Sequence, residues 1–420
     1  MNPSVAVQDD DGTTPAGRGA LLLTIGLFFL WGMANNLNDI LIAHFRAVFT
    51  LSDLQSGLVQ SAFYLGYFCF AIPGAIVMQR FGYKTAVVQG LVLFGIGALL
   101  FWPASLMLSY GFFLLALFVI ASGLAFLETA ANPMVAALGS AATAERRLNL
   151  AQAFNPLGSI AGVTLGATFI LADERAGDVA AASAVRLPYL VIALLVFAWA
   201  AVIVVTRFPA VATRPSEPDA RTPGAYGKLL ASPRYLAGVG TQFLYVGAQV
   251  GVWSFLIRYV AVELPSFGTQ RAAWLLTLSL ALFMAGRFVG AALMARISGA
   301  RLMLIFAAID ALLCAVAAFV GGPAGVAALV LSSALMSIMY PTIFVLTLRG
   351  LGPLTKPGAS LLVMAIIGGA VLTGLMGHIS DLAGIDTAML VPAVCFLVVL
   401  AFAVKAGRTL SGDVVQPTIH

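Results

Sequence analysis

Long unbroken apolar runs, separated by short polar breaks, dominate this chain from Ala20 to Lys405. Each run is long enough for about 20 residues of helix, the length that crosses a bilayer. The pattern predicts helices over 20–47, 54–79, 84–106, 109–137, 148–172 and 187–206, then over 234–261, 270–296, 301–321, 324–348, 358–379 and 387–405. The ten-residue alternation of a membrane β-barrel is missing, so the spans read as helices. Between the two sets of six lies a stretch rich in Pro and charge, RFPAVATRPSEPDARTPGAYGK, which reads as a connecting loop. The expected organisation is a polar tail over 1–19, a first bundle over 20–206, a linker over 207–233, a second bundle over 234–405 and a second tail over 406–420.

Composition narrows the class. Hydrophobic residues make up 61% of the chain and charged residues only 9%, with a mean hydropathy of +1.01. A soluble domain carries about 25% charged residues, so most of this surface must face lipid. The net charge of +5 is scattered in ones and twos between spans. That is topology information and gives no nucleic-acid face. Most of the basic residues fall on one side if both termini are cytoplasmic; Arg46, Arg175, Arg186, Arg258 and Arg271 fall on the other. The N-terminal tail is acidic and lacks the pattern of a cleaved signal. Cys69, Cys314 and Cys395 lie inside apolar runs and read as small buried side chains. His44, His378 and His420 are far apart, so no metal centre, cofactor site or enzyme centre is expected.

Against this background, polar residues inside spans stand out. A charge at mid-membrane costs about 2.5 kcal/mol or more, so it faces a cavity or a partner. Four such charges remain once span ends are set aside: Asp39, Glu128, Arg287 and Asp310. In the first span, Trp31, Asn35, Asn38 and Asp39 recur at helical spacing and form one aromatic and polar stripe. An indole face beside amides and a carboxylate suits a sugar, whose C–H faces stack and whose hydroxyls need paired donors and acceptors. The alternative is amides acting as glue between helices. In the fourth span Glu128 and Asn132 share a face, next to Pro133. In the fifth, Asn149, Gln152 and Asn155 recur every three residues. The depths of Glu128 and Asn155 match, so the two stripes are expected to meet.

The second half carries less polar load. Gln242, Tyr245, Gln249 and Trp253 fall on one face of the seventh span, and Tyr340 precedes Pro341 in the tenth. Acids in one half, with amides and aromatics in the other, point to proton chemistry in the first and substrate contact in both. Arg287 and Asp310 lie at equal depth on consecutive spans and read as a structural ion pair. Recurrent segments such as MQRFGYK and MARISGAR, or Pro133 and Pro341, hint at duplicated halves.

The segments FFLWGMANNLNDIL, QSAFYLGYF, LETAANP, RLNLAQAFN, YVGAQVGVWSF and YPTIF, in this order, resemble the fucose:proton symporter family of the major facilitator superfamily. The resemblance spans nearly the whole chain. It implies an all-α membrane fold of twelve helices in two pseudo-symmetric bundles, alternating access, and uptake of a monosaccharide such as fucose, galactose or glucose with a coupling cation. It assigns Asp39 and Glu128 to proton coupling and sugar binding. A bacterial inner membrane and a monomer are the family-level expectations. QRFGYK resembles the superfamily's cytoplasmic signature, with Gln79 where that signature carries Asp. A buried carboxyl can hold a proton near neutral pH. Loaded with proton and sugar, the cavity then has no acid charge to desolvate. Sodium coupling, sugar uniport, drug or organic-anion export and a non-transporting sugar sensor stay open as alternatives.

Overall fold

The computed structural model describes residue 17 and residues 19–33, 53–169, 185–215 and 224–413. Ten of its helices are long and apolar enough to cross a membrane. In the first half these include α2 (Asp53–Phe81), α3 (Tyr83–Met107), α4 (Tyr110–Ala137) and α7 (Arg186–Val205). The shorter apolar helix α1 (Gly19–Met33) precedes them. The fifth predicted span is formed by two pieces, α5 (Ala144–Gln152) and α6 (Asn155–Phe169). After α8 (Gly224–Leu230) come α9 (Pro233–Glu263), α10 (Gly268–Leu293) and α11 (Gly299–Phe319). The tenth span is α12 (Gly322–Met336) plus α13 (Met339–Leu348), and the eleventh is α14 (Thr355–Met364) plus α15 (Gly368–Ala383). The last is α16 (Leu390–Asp413).

Local chemistry sets the ends. Ser109, Ser232 and Ser298 cap α4, α9 and α11, each accepting a backbone N–H three residues on, and Pro233 occupies the first turn of α9. Two of the three interruptions follow from proline. A proline ring clashes with the carbonyl four residues earlier and supplies no N–H. Pro156 therefore disfavours helix at Gln152, where α5 ends. Pro341 does the same at Ser337, just past the end of α12. The third, at the 3₁₀ turn Ala365–Ile367, precedes Gly368, where a Cβ would overlap the backbone carbonyl of Phe243. By contrast α4 runs unbroken through Pro133, so the proposed match between Pro133 and Pro341 does not extend to helix breaks.

Many large apolar side chains lie on the outside, among them Leu22, Leu65, Trp102, Leu194, Trp274 and Phe319. Buried inside are small and aromatic residues, including Ala71, Ala75, Phe94, Phe101, Phe113 and Tyr245. That inversion fits lipid as the solvent, where close approach of small residues drives helix packing.

Two compact units divide the described chain. The first holds α1 to α4, α6, α7 and α14; its fastenings include Lys84, whose Nζ donates to the Val204 and Thr206 carbonyls at the C-terminal end of α7. The second holds α9 to α13, α15 and α16, together with residues 145–150 of α5.

Candidate functional site

In the first unit, the polar stripes of α4 and of the broken fifth span meet. Glu128 and Asn132 are one turn apart on α4 and buried. The Gln152 amide, at the last residue of α5, donates to Asn132 Oδ1 at 3.0 Å. The break after Gln152 is what frees the chain to turn there. Asn155 opens α6 and donates from Nδ2 to the Phe28 carbonyl on α1 at 3.2 Å. Ser159 Oγ donates to the Gly32 carbonyl at 3.4 Å. Glycines permit this approach: a Cβ on Gly32 would overlap the Asn155 carbonyl, and one on Gly158 would overlap the Phe29 carbonyl. Asn155 thus already fastens α1 to α6 with its amide nitrogen.

That packing sets Trp31, near the end of α1, against Phe28 with ring centroids 5.8 Å apart. Beside the Trp31 indole lies the Tyr67 hydroxyl of α2, which is also within electrostatic reach of Glu128. Among the described residues, Thr129 Oγ1 and Asn132 Nδ2 are buried with no hydrogen-bond partner, and Trp31 Nε1 and Tyr67 OH have none beyond their approach to each other. Buried polar groups are normally satisfied within the protein. A cluster of donors left open around a buried acid is the chemistry of a ligand site, since hydroxyls could complete them. Tyr67 was absent from the sequence candidates. Its signal was a tyrosine one turn after Phe63 in an apolar span, where a phenol needs a partner. Asn35, Asn38 and Asp39 lie outside the described residues.

In the second unit, the α9 stripe divides by role. Gln242 is fully buried, and neither of its amide atoms has a partner among the described residues. The Tyr245 hydroxyl donates to the Met336 carbonyl, the last of α12, at 2.7 Å. The Trp253 indole donates to Ser333 Oγ at 3.0 Å, and Ser333 in turn bonds Ser279. Trp253 also meets Phe283 edge-on at 4.9 Å. Gln249 is half-buried. Tyr340, on α13, stacks over Phe344 at 6.3 Å. Asn149 departs from its expected stripe: it belongs to the second unit, where its amide donates to Thr342 Oγ1 at 3.3 Å.

The expected direct pair between Arg287 and Asp310 is not formed. The Arg287 guanidinium lies over the Phe283 ring at 4.7 Å. Both Asp310 oxygens are buried and make no hydrogen bond of good geometry among the described residues. Equal depth on neighbouring helices fixes height and leaves the facing direction open, which is why the pairing failed. An ion pair joins Glu145, at the start of α5, to Arg349, just after α13, at 2.5 Å. Glu145 also accepts the Gly299 backbone N–H at the first residue of α11, where a helix N-terminus favours a carboxylate. Burial outweighs both attractions and raises the Glu145 carboxyl above its ordinary value.

At the QRFGYK segment, Gln79 is buried and its Nε2 has no hydrogen-bond partner among the described residues. The neighbouring fastening comes from Lys356 of α14, which donates to the Arg214 carbonyl at 2.9 Å and sits over the Tyr83 ring at 5.0 Å. Among the described residues no group of His, Cys, Asp and Glu could hold a metal ion.

Known proteins share both the sequence and the architecture. Residues 21–359 match the family described as Major Facilitator Superfamily. The chain is 43% identical to the L-fucose-proton symporter of Escherichia coli (strain K12) over 422 residues, covering 95% of each chain. It is 37% identical to a glucose/galactose transporter of Brucella abortus over 385 residues, covering 91% of this chain and 93% of that one. The crystal structure of FucP, a Major Facilitator Superfamily transporter in the outward conformation, superimposes with a TM-score of 0.86 at 41% identity, over 93% of this chain and 99% of the other. Ten membrane-length apolar spans and the shorter apolar helix α1 among the described residues, together with these likenesses, make this chain a multi-pass membrane protein of the major facilitator superfamily, in its fucose:proton symporter family.

Proposed function

We propose that this protein is a secondary active transporter that takes up a monosaccharide of the fucose, galactose or glucose type by proton symport. It works by alternating access in a bacterial inner membrane, with both termini cytoplasmic. The observation that carries the reading is the open polar cluster of the first unit. Among the described residues, Thr129 and Asn132 keep buried donors without partners beside Glu128, and Trp31 and Tyr67 have only each other. Relatives that are 43% and 37% identical over nearly the full length are a fucose–proton symporter and a glucose/galactose transporter, which supports the same cargo class.

Glu128 binds a sugar hydroxyl and carries the proton. Protonated, it is a neutral donor and acceptor, so the loaded site crosses without a desolvated charge. Asn132, held by Gln152, presents its remaining N–H to a hydroxyl. Trp31 supplies the stacking face. Asn35 and Asn38 add amides, and Asp39 captures the proton on the outer side. Asn155 contributes through its oxygen, since its nitrogen is engaged. From the second half, Gln242 and Gln249 offer amides. Tyr245, Trp253 and Tyr340 form walls, the first two with their polar ends already bonded.

The test is uptake of labelled fucose, galactose, glucose and mannose into proteoliposomes, with and without a pH gradient. One sugar should accumulate when the outside is acidic and only equilibrate without the gradient. Accumulation that follows sodium and ignores pH would overturn proton coupling. Binding without flux would overturn transport.

A further inference from the structure

Asp310 lies near the middle of α11 and is fully buried, and neither carboxyl oxygen makes a hydrogen bond of good geometry among the described residues. It is not among the sugar contacts proposed above. Its surroundings are apolar apart from a few groups. Ser332 of α12 is the neighbouring hydroxyl, itself buried and within interaction range of the Asp310 carboxyl. Cys314 is one turn along α11, also beside Ser332. Tyr245 of α9 feels both Asp310 and Arg287, but its hydroxyl is committed to Met336. The remaining ionisable groups on the helices packed against α11 are Tyr340 on α13, Asp386 in the turn Ile385–Ala388, and Cys395, Lys405, Arg408 and Asp413 on α16. α12 carries none. Arg301 stands near the far, N-terminal end of α11 itself.

An ionised carboxylate in such a place loses its water and gains at most the Ser332 hydroxyl in return; the penalty is several kcal/mol even after relaxation. Taking up a proton removes that penalty, because a buried group neutralises before it stays charged. The neutral acid then has an O–H to give and an oxygen that accepts, matched to the Ser332 hydroxyl. We propose that Asp310 is a proton-binding residue of the second half, holding its proton at neutral pH. Loading forms one O–H bond on the carboxylate with a proton from solvent; no other bond changes. The site stands whether or not the cargo is a sugar.

Infrared difference spectroscopy of the full-length protein in lipid, wild type against Asp310→Asn, reads the proton directly. At neutral pH the wild type should show a protonated-carboxyl C=O stretch that the variant lacks, and the carboxylate bands should be unchanged. The variant should also keep its thermal stability, because an amide replaces a neutral acid. Loss from the carboxylate bands, with a marked fall in stability, would mean an ionised Asp310 serving a cation and would overturn the proposal. If Asp310→Asn does not fold, Ser332→Ala carries the test. Removing the adjacent hydroxyl should shift the frequency of the protonated-carboxyl band. A spectrum identical to wild type would overturn the assignment.

Discussion

The Glu145–Arg349 pair makes the stability of this protein depend on pH in a direction opposite to that of an ordinary salt-bridged carboxylate. Glu145 is 91% removed from solvent by its side-chain exposure of 9%, against 30% for Arg349. Burial dominates, so the folded protein holds the Glu145 proton more tightly than the unfolded chain does. A group with a raised folded value stabilises fully below its ordinary value, and that stabilisation is lost as pH rises through the raised value. The wild type should therefore lose stability across that window, and Glu145→Gln should be flat there. Arg349→Gln removes the cation that pulls the value down, so the window should extend to higher pH. A charge-assisted hydrogen bond contributes about 1.5–3 kcal/mol, and partial exposure of Arg349 moves this toward the 0.2–1 kcal/mol of exposed pairs. The expected loss for Arg349→Gln at neutral pH is about 1–2 kcal/mol. A double-mutant cycle with Glu145→Gln should return a coupling of about 1 kcal/mol. Thermal unfolding in detergent from acid to neutral pH measures all four proteins. Parallel wild-type and Glu145→Gln profiles, or a window that moves down in Arg349→Gln, would refute the reasoning.

Other substitutions test the transport site and its frame. Glu128→Gln should abolish accumulation driven by the pH gradient while sparing counterflow exchange; one proton moved through 100 mV is about 2.3 kcal/mol, or about 50-fold accumulation in the wild type, and this should collapse to equilibration. Tyr67→Phe should raise the KM for sugar about 3- to 10-fold, the loss of one hydrogen bond, with surface expression unchanged. Gly158→Ala should destabilise by about 1–3 kcal/mol, because its methyl meets the Phe29 backbone and forces α1 from α6. An unchanged melting temperature for that variant would show the contact to be loose.

The spans were legible because lipid imposes a uniform rule: apolar runs of sufficient length, ended by charge or proline. Helices such as α3 and α7 begin and end within a few residues of the predicted 84–106 and 187–206. The bond between Gln152 and Asn132 was foreseeable from matched depth. Depth also predicted Arg287 with Asp310, and there it misled, since each residue turns a helix by about 100° and height says nothing of azimuth. Glu145 and Arg349 are 204 residues apart, with no local pattern to join them. The linker also held more order than its Pro and charge content implied, with helical turns at Ala210–Thr213 and Gly224–Leu230. Their fastening depends on partners such as Lys356 and Ser360, far along the chain.

Where helices break, this fold gathers its polar chemistry. Pro156 ends α5 at Gln152, and the side chains on either side of the gap, Gln152 and Asn155, hold Asn132 and α1. Pro341 interrupts the tenth span; at that gap the Met336 carbonyl receives the Tyr245 hydroxyl, while Thr342 turns its own hydroxyl back onto Ile338 at 2.6 Å. An unbroken helix offers lipid or protein no backbone donor or acceptor, so amides and hydroxyls in it have little to bind. A proline gap supplies free carbonyls and a local turn, which polar side chains can then satisfy. The same gap that interrupts the ladder thereby sets the Gln152 amide against Asn132 Oδ1. Proline at 156 is thus a device for placing Gln152 beside Asn132. Pro156→Ala should restore helix through 152–156, rotate Gln152 off Asn132 and reduce sugar affinity while raising thermal stability. A variant that melts higher yet binds sugar as the wild type does would show that the break has no part in the site.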